Sequence, residues 1–93
     1  MQSLLTETVG GELYHYYPLG QHIVRAPGVC GGRPTFTYTR IEIAGTLDRI
    51  AAGEAIDDIV VGYRGRVKRE AILEALHLVT TQFMATLPQL ELA

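Results

Sequence analysis

Chemistry in a short chain needs reactive side chains within reach of one another, and the candidates here are few. The 93 residues contain one cysteine, Cys30, and three histidines, His15, His22 and His77. A thiol becomes a nucleophile when a neighbouring imidazole takes its proton and a third group orients that imidazole. Nothing in the spacing sets a histidine beside Cys30, and no orienting group is apparent. Structural zinc sites use spacings such as Cys-x-x-Cys or His-x-x-x-His, and this chain has neither. Asp57 and Asp58 are adjacent, so on a helix their side chains point about 100° apart and form no facing carboxylate pair. Favourable placement at a helix N-terminus accounts for them better. The Gly31-Gly32 pair invites comparison with a phosphate loop, which requires Gly-x-x-x-x-Gly-Lys-Ser/Thr opening a helix. Here Arg33, Pro34 and a β-branched run come next, so the pair reads as a structural turn. The expectation is a protein that is not an enzyme and carries no cofactor or metal.

One stretch carries more information: Tyr63-Arg64-Gly65-Arg66-Val67-Lys68-Arg69. It holds Arg64, Arg66, Lys68 and Arg69, four of the eight basic residues, whereas residues 1–24 have none. The net charge of −2 argues against coating nucleic acid indiscriminately, yet a local cluster at a helix entrance can still meet phosphates. Three readings fit it: contacts to DNA, contacts to an acidic protein partner, or a solvated turn.

The elements that would hold these residues can be placed from periodicity. Glu12–Tyr17 is aromatic-rich and reads as a strand, Pro18 to Gln21 as a turn, and His22–Ala26 as a second strand of a hairpin. Before them, Gly10-Gly11 marks a break, and residues 1–11 read as a loose arm. Pro27-Gly28 and Cys30-Gly31-Gly32-Arg33-Pro34 define a tight loop. Period-two alternation then predicts a strand over at least Thr35–Tyr38, with Thr35, Thr37, Thr39, Ile41 and Ile43 on one face. Its threonines, or Tyr38 and Arg40 opposite, would suit a β-ribbon reader of the major groove; an ordinary packed strand has the same pattern. Three helices are predicted: Ala44–Ala52, Ala55–Tyr63 and Lys68–Leu87. The third carries Ile72, Ala75, Leu76, Val79 and Phe83 on its core face. Leu73, Leu78 and Met84 widen that stripe beyond one small core's needs, which points to a dimer surface.

An apolar share of 47% suits a globular chain, and so short a chain is expected to form one domain. A lone cysteine allows no intrachain disulfide, no signal peptide is read, and no apolar run reaches the ~20 residues of a membrane span. A cytoplasmic protein with no membrane association is expected.

The glycine-rich loop and the residues after it also carry a resemblance. Cys30-Gly31-Gly32-Arg33-Pro34-Thr35-Phe36, then Thr39-Arg40-Ile41, resembles the signature of the domain-of-unknown-function family 433. Members of that family carry Cys-Gly-Gly-Lys/Arg-Pro, a hydrophobic residue, and Gly-Thr-Arg-Ile. Ala52-Gly53, the segment Ile56–Ile59 and the Ala-Ile-x-x-Ala-Leu pattern of Ala71–Leu76 continue the likeness, which spans about residues 22–80. Tyr38 stands where the family has glycine, and a non-glycine residue pays for positive φ. The position is therefore either plain strand or a loop of different geometry. The resemblance implies a helix-turn-helix-like domain preceded by short strands. It also implies an antitoxin-like role, binding a nuclease-like toxin and operator DNA.

The combined expectation is an α+β chain, mainly α. A short N-terminal β-hairpin leads into a three-helix, homeodomain-like bundle. The single domain divides into an arm (1–11), strands and loop (12–43), a trihelical region (44–87) and a tail (88–93). Arg64, Arg66, Lys68 and Arg69 are the candidate DNA-binding residues. Cys30, Gly31, Gly32, Arg33, Pro34, Thr39 and Arg40 form the structural motif. The alternative is a homodimeric protein-interaction module with no DNA-binding or catalytic role.

Overall fold

The computed structural model of the chain describes residues 3–88 and residue 90. Four antiparallel strands, β1 (Leu5–Val9), β2 (Glu12–Pro18), β3 (Ile23–Arg25) and β4 (Thr35–Phe36), form a sheet in chain order. Three helices come after them: α1 (Ile43–Ala51), α2 (Ile56–Gly62) and α3 (Arg69–Ala85). The fold is α+β. The end of the chain expected as a tail lies, apart from Pro88 and Leu90, outside the described residues.

The first correction concerns the arm. Residues 5–9 are a strand, paired with β2 from Leu5 opposite Tyr16 to Val9 opposite Glu12. Gly10 and Gly11 lie between them with φ of 59° and 83°. Two consecutive left-handed residues make the turn whose twist matches that of the flanking strands, and glycine takes it without steric cost. The second hairpin matches expectation, with Tyr17 opposite Arg25 and Pro18 opposite Val24.

The second correction concerns the strand after the loop. It is only two residues long, because the chain reverses at Thr37, Tyr38 and Thr39. The Phe36 amide donates to the Ile41 carbonyl at 3.0 Å, and the Thr39 hydroxyl donates to the Phe36 carbonyl at 2.8 Å. Local side-chain bonding by threonine competes with strand continuation and wins here. The alternating face is thereby folded on itself, with Thr35 and Thr39 buried, so no continuous ribbon of threonines reaches outward.

Ile23, Phe36, Ile43, Ile59, Val67, Ala71, Ile72 and Ala75 form the core, drawn from β3, β4, all three helices and the turn before α3. The stripe predicted for α3 is core only in its first half. Ile72 and Ala75 are fully buried, whereas Val79 is 43% and Phe83 61% exposed.

Candidate functional site

The basic stretch forms the turn between α2 and α3. Tyr63 caps α2, and Arg64 and Gly65 then take φ of 56° and 78°, which turns the chain back. Val67 plugs into the core at 2% exposure, so its neighbours Arg66 and Lys68 project to the surface. Tyr63 fixes the turn to α1. Its hydroxyl pairs with the buried Thr46 hydroxyl at 2.7 Å, and the Arg49 guanidinium lies 5.3 Å from its ring centre.

The four predicted cations are not equivalent. Arg69 is paired with Asp57 at 2.6 Å. The other ion pairs among the described residues are His22–Glu74, Arg33–Glu42 and Arg49–Glu54. Arg64, Arg66 and Lys68 therefore have no carboxylate partner among the described residues.

Arg66 and Lys68 also rim a cavity of about 430 Å³ between the first hairpin and the start of α3. Val24, Phe36 and Ala71 line it on the apolar side, and Tyr16 and Tyr38 add aromatic surface. One feature missed by sequence reasoning and one whose geometry it left open shape it. Glu74, from α3, accepts the backbone amides of Gln21 at 2.8 Å and His22 at 2.7 Å, clamping the second hairpin turn onto the helix. Burial pushes the Glu74 carboxyl up, but those two amides and His22 outweigh it and hold the group below its ordinary value. The clamp is close enough that a Cβ on Gly20 would come within 2.8 Å of Glu74 Oε2.

Tyr38 is the other feature. Its φ is 63°, a left-handed, glycine-like backbone, so of the two geometries left open for this position the loop is the one found. Both ends of the residue are tied to the first hairpin: its amide donates to the Tyr14 hydroxyl at 3.1 Å, and its own hydroxyl donates to Glu7 at 3.0 Å. The Glu7 carboxylate raises the Tyr38 hydroxyl pKa and, chiefly by hydrogen bonding, pushes that of Tyr16 up to about 12.

The residues of the Cys30 motif brace the chain. Cys30, Gly31 and Gly32 have φ of 49°, 65° and 78°, a short left-handed turn that explains the paired glycines. The Cys30 thiol donates to the Arg40 carbonyl at 3.2 Å. Arg33 grips Glu42, just before α1, at 2.7 and 3.3 Å, and the Pro34 carbonyl accepts the Ile43 amide at 3.1 Å. Thr39 closes the reversal, its hydroxyl also accepting the Ile41 amide at 3.0 Å. The Arg33 and Pro34 contacts join the loop to the entrance of α1.

The family model described as protein of unknown function (DUF433) matches residues 23–78. The chain belongs to the DUF433 family. A search of curated proteins and a search of solved structures each gave no match. The DUF433 match begins at the first residue of β3 and ends at Leu78, which packs against the core from α3. The β1–β2 hairpin and the exposed end of α3 lie outside it.

The remaining candidates stay apart from this centre. Cys30 is engaged with a carbonyl, His15 Nδ1 faces the Thr6 hydroxyl at 2.9 Å, and of the histidines only His22 lines the cavity. Among the described residues, no three His, Cys, Asp or Glu side chains gather as a metal site. Among them, too, no helix is long and apolar enough to cross a membrane.

Proposed function

We propose that this DUF433 protein is a small cytoplasmic, antitoxin-like regulator that binds operator DNA through the α2–turn–α3 unit and holds a nuclease-like toxin as its protein partner. In this reading α2, the turn and α3 act as a homeodomain-like helix-turn-helix. The observation that carries it is the set of Arg64, Arg66 and Lys68, exposed at the entrance of α3 and without an ion pair among the described residues. Such cations gain by meeting phosphates, and a helix N-terminus adds favourable dipole character. The test is binding of the purified protein to its own promoter fragment across a salt series. Arg66→Ala and Lys68→Ala should each weaken binding and lower the slope of log affinity against log salt by about 1. Absence of any promoter complex at low salt would remove the DNA half of the proposal.

A second reading, a homodimeric interaction module without a DNA role, is favoured by the end of α3. Residues 75–90 contain no Asp, Glu, Lys or Arg, and Val79, Phe83, Met84 and Leu87 are 43–61% exposed. A helix end that runs through Val79, Thr80 and Thr81 with no charged pairs along it has little reason to persist in water unsupported. Sedimentation equilibrium separates the readings. Phe83→Glu with Met84→Glu should yield monomer if this face joins two copies, and a partner recovered by both the parent and the Arg66→Ala variant would favour the module without DNA.

A further inference from the structure

The cavity beside the turn has properties that DNA binding does not use. Its volume of about 430 Å³ falls within the range of small-molecule sites, which are mostly apolar with a few convergent polar groups. Val24, Phe36 and Ala71 supply the apolar lining, Tyr16 and Tyr38 the aromatic surface, and Arg66 and Lys68 the polar rim. Two carboxylates on the elements around the cavity have other partners. Glu7 accepts the Tyr38 hydroxyl, and Glu74 accepts the amides of Gln21 and His22. Among the described residues, neither rim cation forms an ion pair.

Tyr38 adds an independent indication. A left-handed tyrosine is disfavoured where glycine would be free, and residues held in that state concentrate at ligand clamps and other functional positions. Here the chain keeps the aromatic ring on the cavity wall and secures it through Tyr14 and Glu7.

We propose that this cavity binds a nucleoside monophosphate, its phosphate between Arg66 and Lys68 and its base against Tyr16 and Tyr38. Arginine and lysine are both phosphate ligands, and aromatic side chains stack on any base. A single phosphate carries a charge of about −1.5 to −2 at neutral pH, which two cations balance. A triphosphate would leave excess negative charge without a partner. The inference goes beyond the DNA reading and does not depend on it, since its assay contains no DNA.

The full-length chain has five tyrosines and no tryptophan, so binding is read from tyrosine fluorescence and confirmed by calorimetry. The probes are the four ribonucleoside 5′-monophosphates, adenosine and inorganic phosphate. At least one monophosphate should bind once per chain with a Kd of about 1 mM or tighter. Adenosine and inorganic phosphate should each bind at least about tenfold more weakly. Tyr38→Gly, which suits the local backbone, should weaken the monophosphate by roughly tenfold and leave inorganic phosphate unchanged. Arg66→Ala should weaken both. If Tyr38→Gly loses its circular dichroism signal, Tyr16→Leu replaces it with the same expected result. The proposal is overturned if no monophosphate binds, if inorganic phosphate binds as well as every monophosphate, or if removing the aromatic ring changes nothing.

Discussion

The contact between Glu74 and the second hairpin turn allows a quantitative test. Glu74→Ala removes the acceptor for the amides of Gln21 and His22, bonded at 2.8 and 2.7 Å across more than fifty residues of sequence. A hydrogen bond to a charged group contributes about 1.5–3 kcal/mol when shielded from water. The Gln21 amide lies at an exposed edge and the His22 amide is part-buried, so the low end applies and the pair should contribute about 2–3 kcal/mol. For a domain of this size, 1 kcal/mol shifts Tm by about 4–8 °C, which gives a loss of roughly 10–20 °C. Glu74→Gln keeps an acceptor but not the charge, and about 1 kcal/mol should be lost at pH 7. The assay is urea denaturation monitored by circular dichroism at several pH values. The folded carboxyl titrates below its ordinary value of 4.5, so the unfolded chain takes up this proton first as pH falls. The stabilisation is fully present above about pH 5 and is lost as pH drops through the folded pKa. The gap between the parent and Glu74→Gln should close over that window. A Glu74→Ala loss below about 0.5 kcal/mol, a typical surface value, or a gap to Glu74→Gln that is the same at acid and neutral pH, would refute the assigned role.

Two further substitutions probe the same framework. Gly20→Ala places a Cβ 2.8 Å from Glu74 Oε2, so the carboxylate must give up the Gln21 amide; about 1 kcal/mol should be lost. That loss should shrink in a Glu74→Ala background, as a double-mutant cycle measured by denaturation will show. Tyr63→Phe removes the 2.7 Å partner of the buried Thr46 hydroxyl and should cost about 1–2 kcal/mol in the same assay.

Much of the architecture is legible in the residues because local and global preferences agree. The first helix stops just short of Gly53, the third ends at Ala85, short of the expected Leu87, and β2 and β3 flank the turn signal at Gly20. The first strand is harder to read, although Gly10-Gly11 between two short runs is itself a hairpin signal. The run Leu-Thr-Glu-Thr-Val has exposed residues on both faces, so no buried periodicity marks it. At residues 35–43 the alternation is real, but the Thr39 hydroxyl and the left-handed Tyr38 bend it into a turn. Period-two pattern cannot report such a reversal. The basic turn is evident from composition, whereas the pairing of Arg69 with Asp57, and the lack of an ion pair for the other three cations among the described residues, require the tertiary fold. Glu74 is invisible for the same reason: its partners are backbone amides far away in sequence.

The attachment of the first hairpin sets how the molecule comes apart. β1 pairs with β2 and otherwise reaches the rest of the chain through side chains such as Glu7, which holds the Tyr38 hydroxyl. The core residues begin at Ile23, and β2 is registered with β3 through Tyr17 with Arg25 and Pro18 with Val24 at its far end, so β1 and the outer part of β2 can open before the core does. Proteins open in such contiguous units well below the free energy of global unfolding. The amides of β1 and the outer part of β2 should therefore exchange with solvent deuterium together, and sooner than those of Ile59 and Ile72. Each such excursion would take Tyr16 off the cavity and leave Arg66 and Lys68 facing Tyr38 alone.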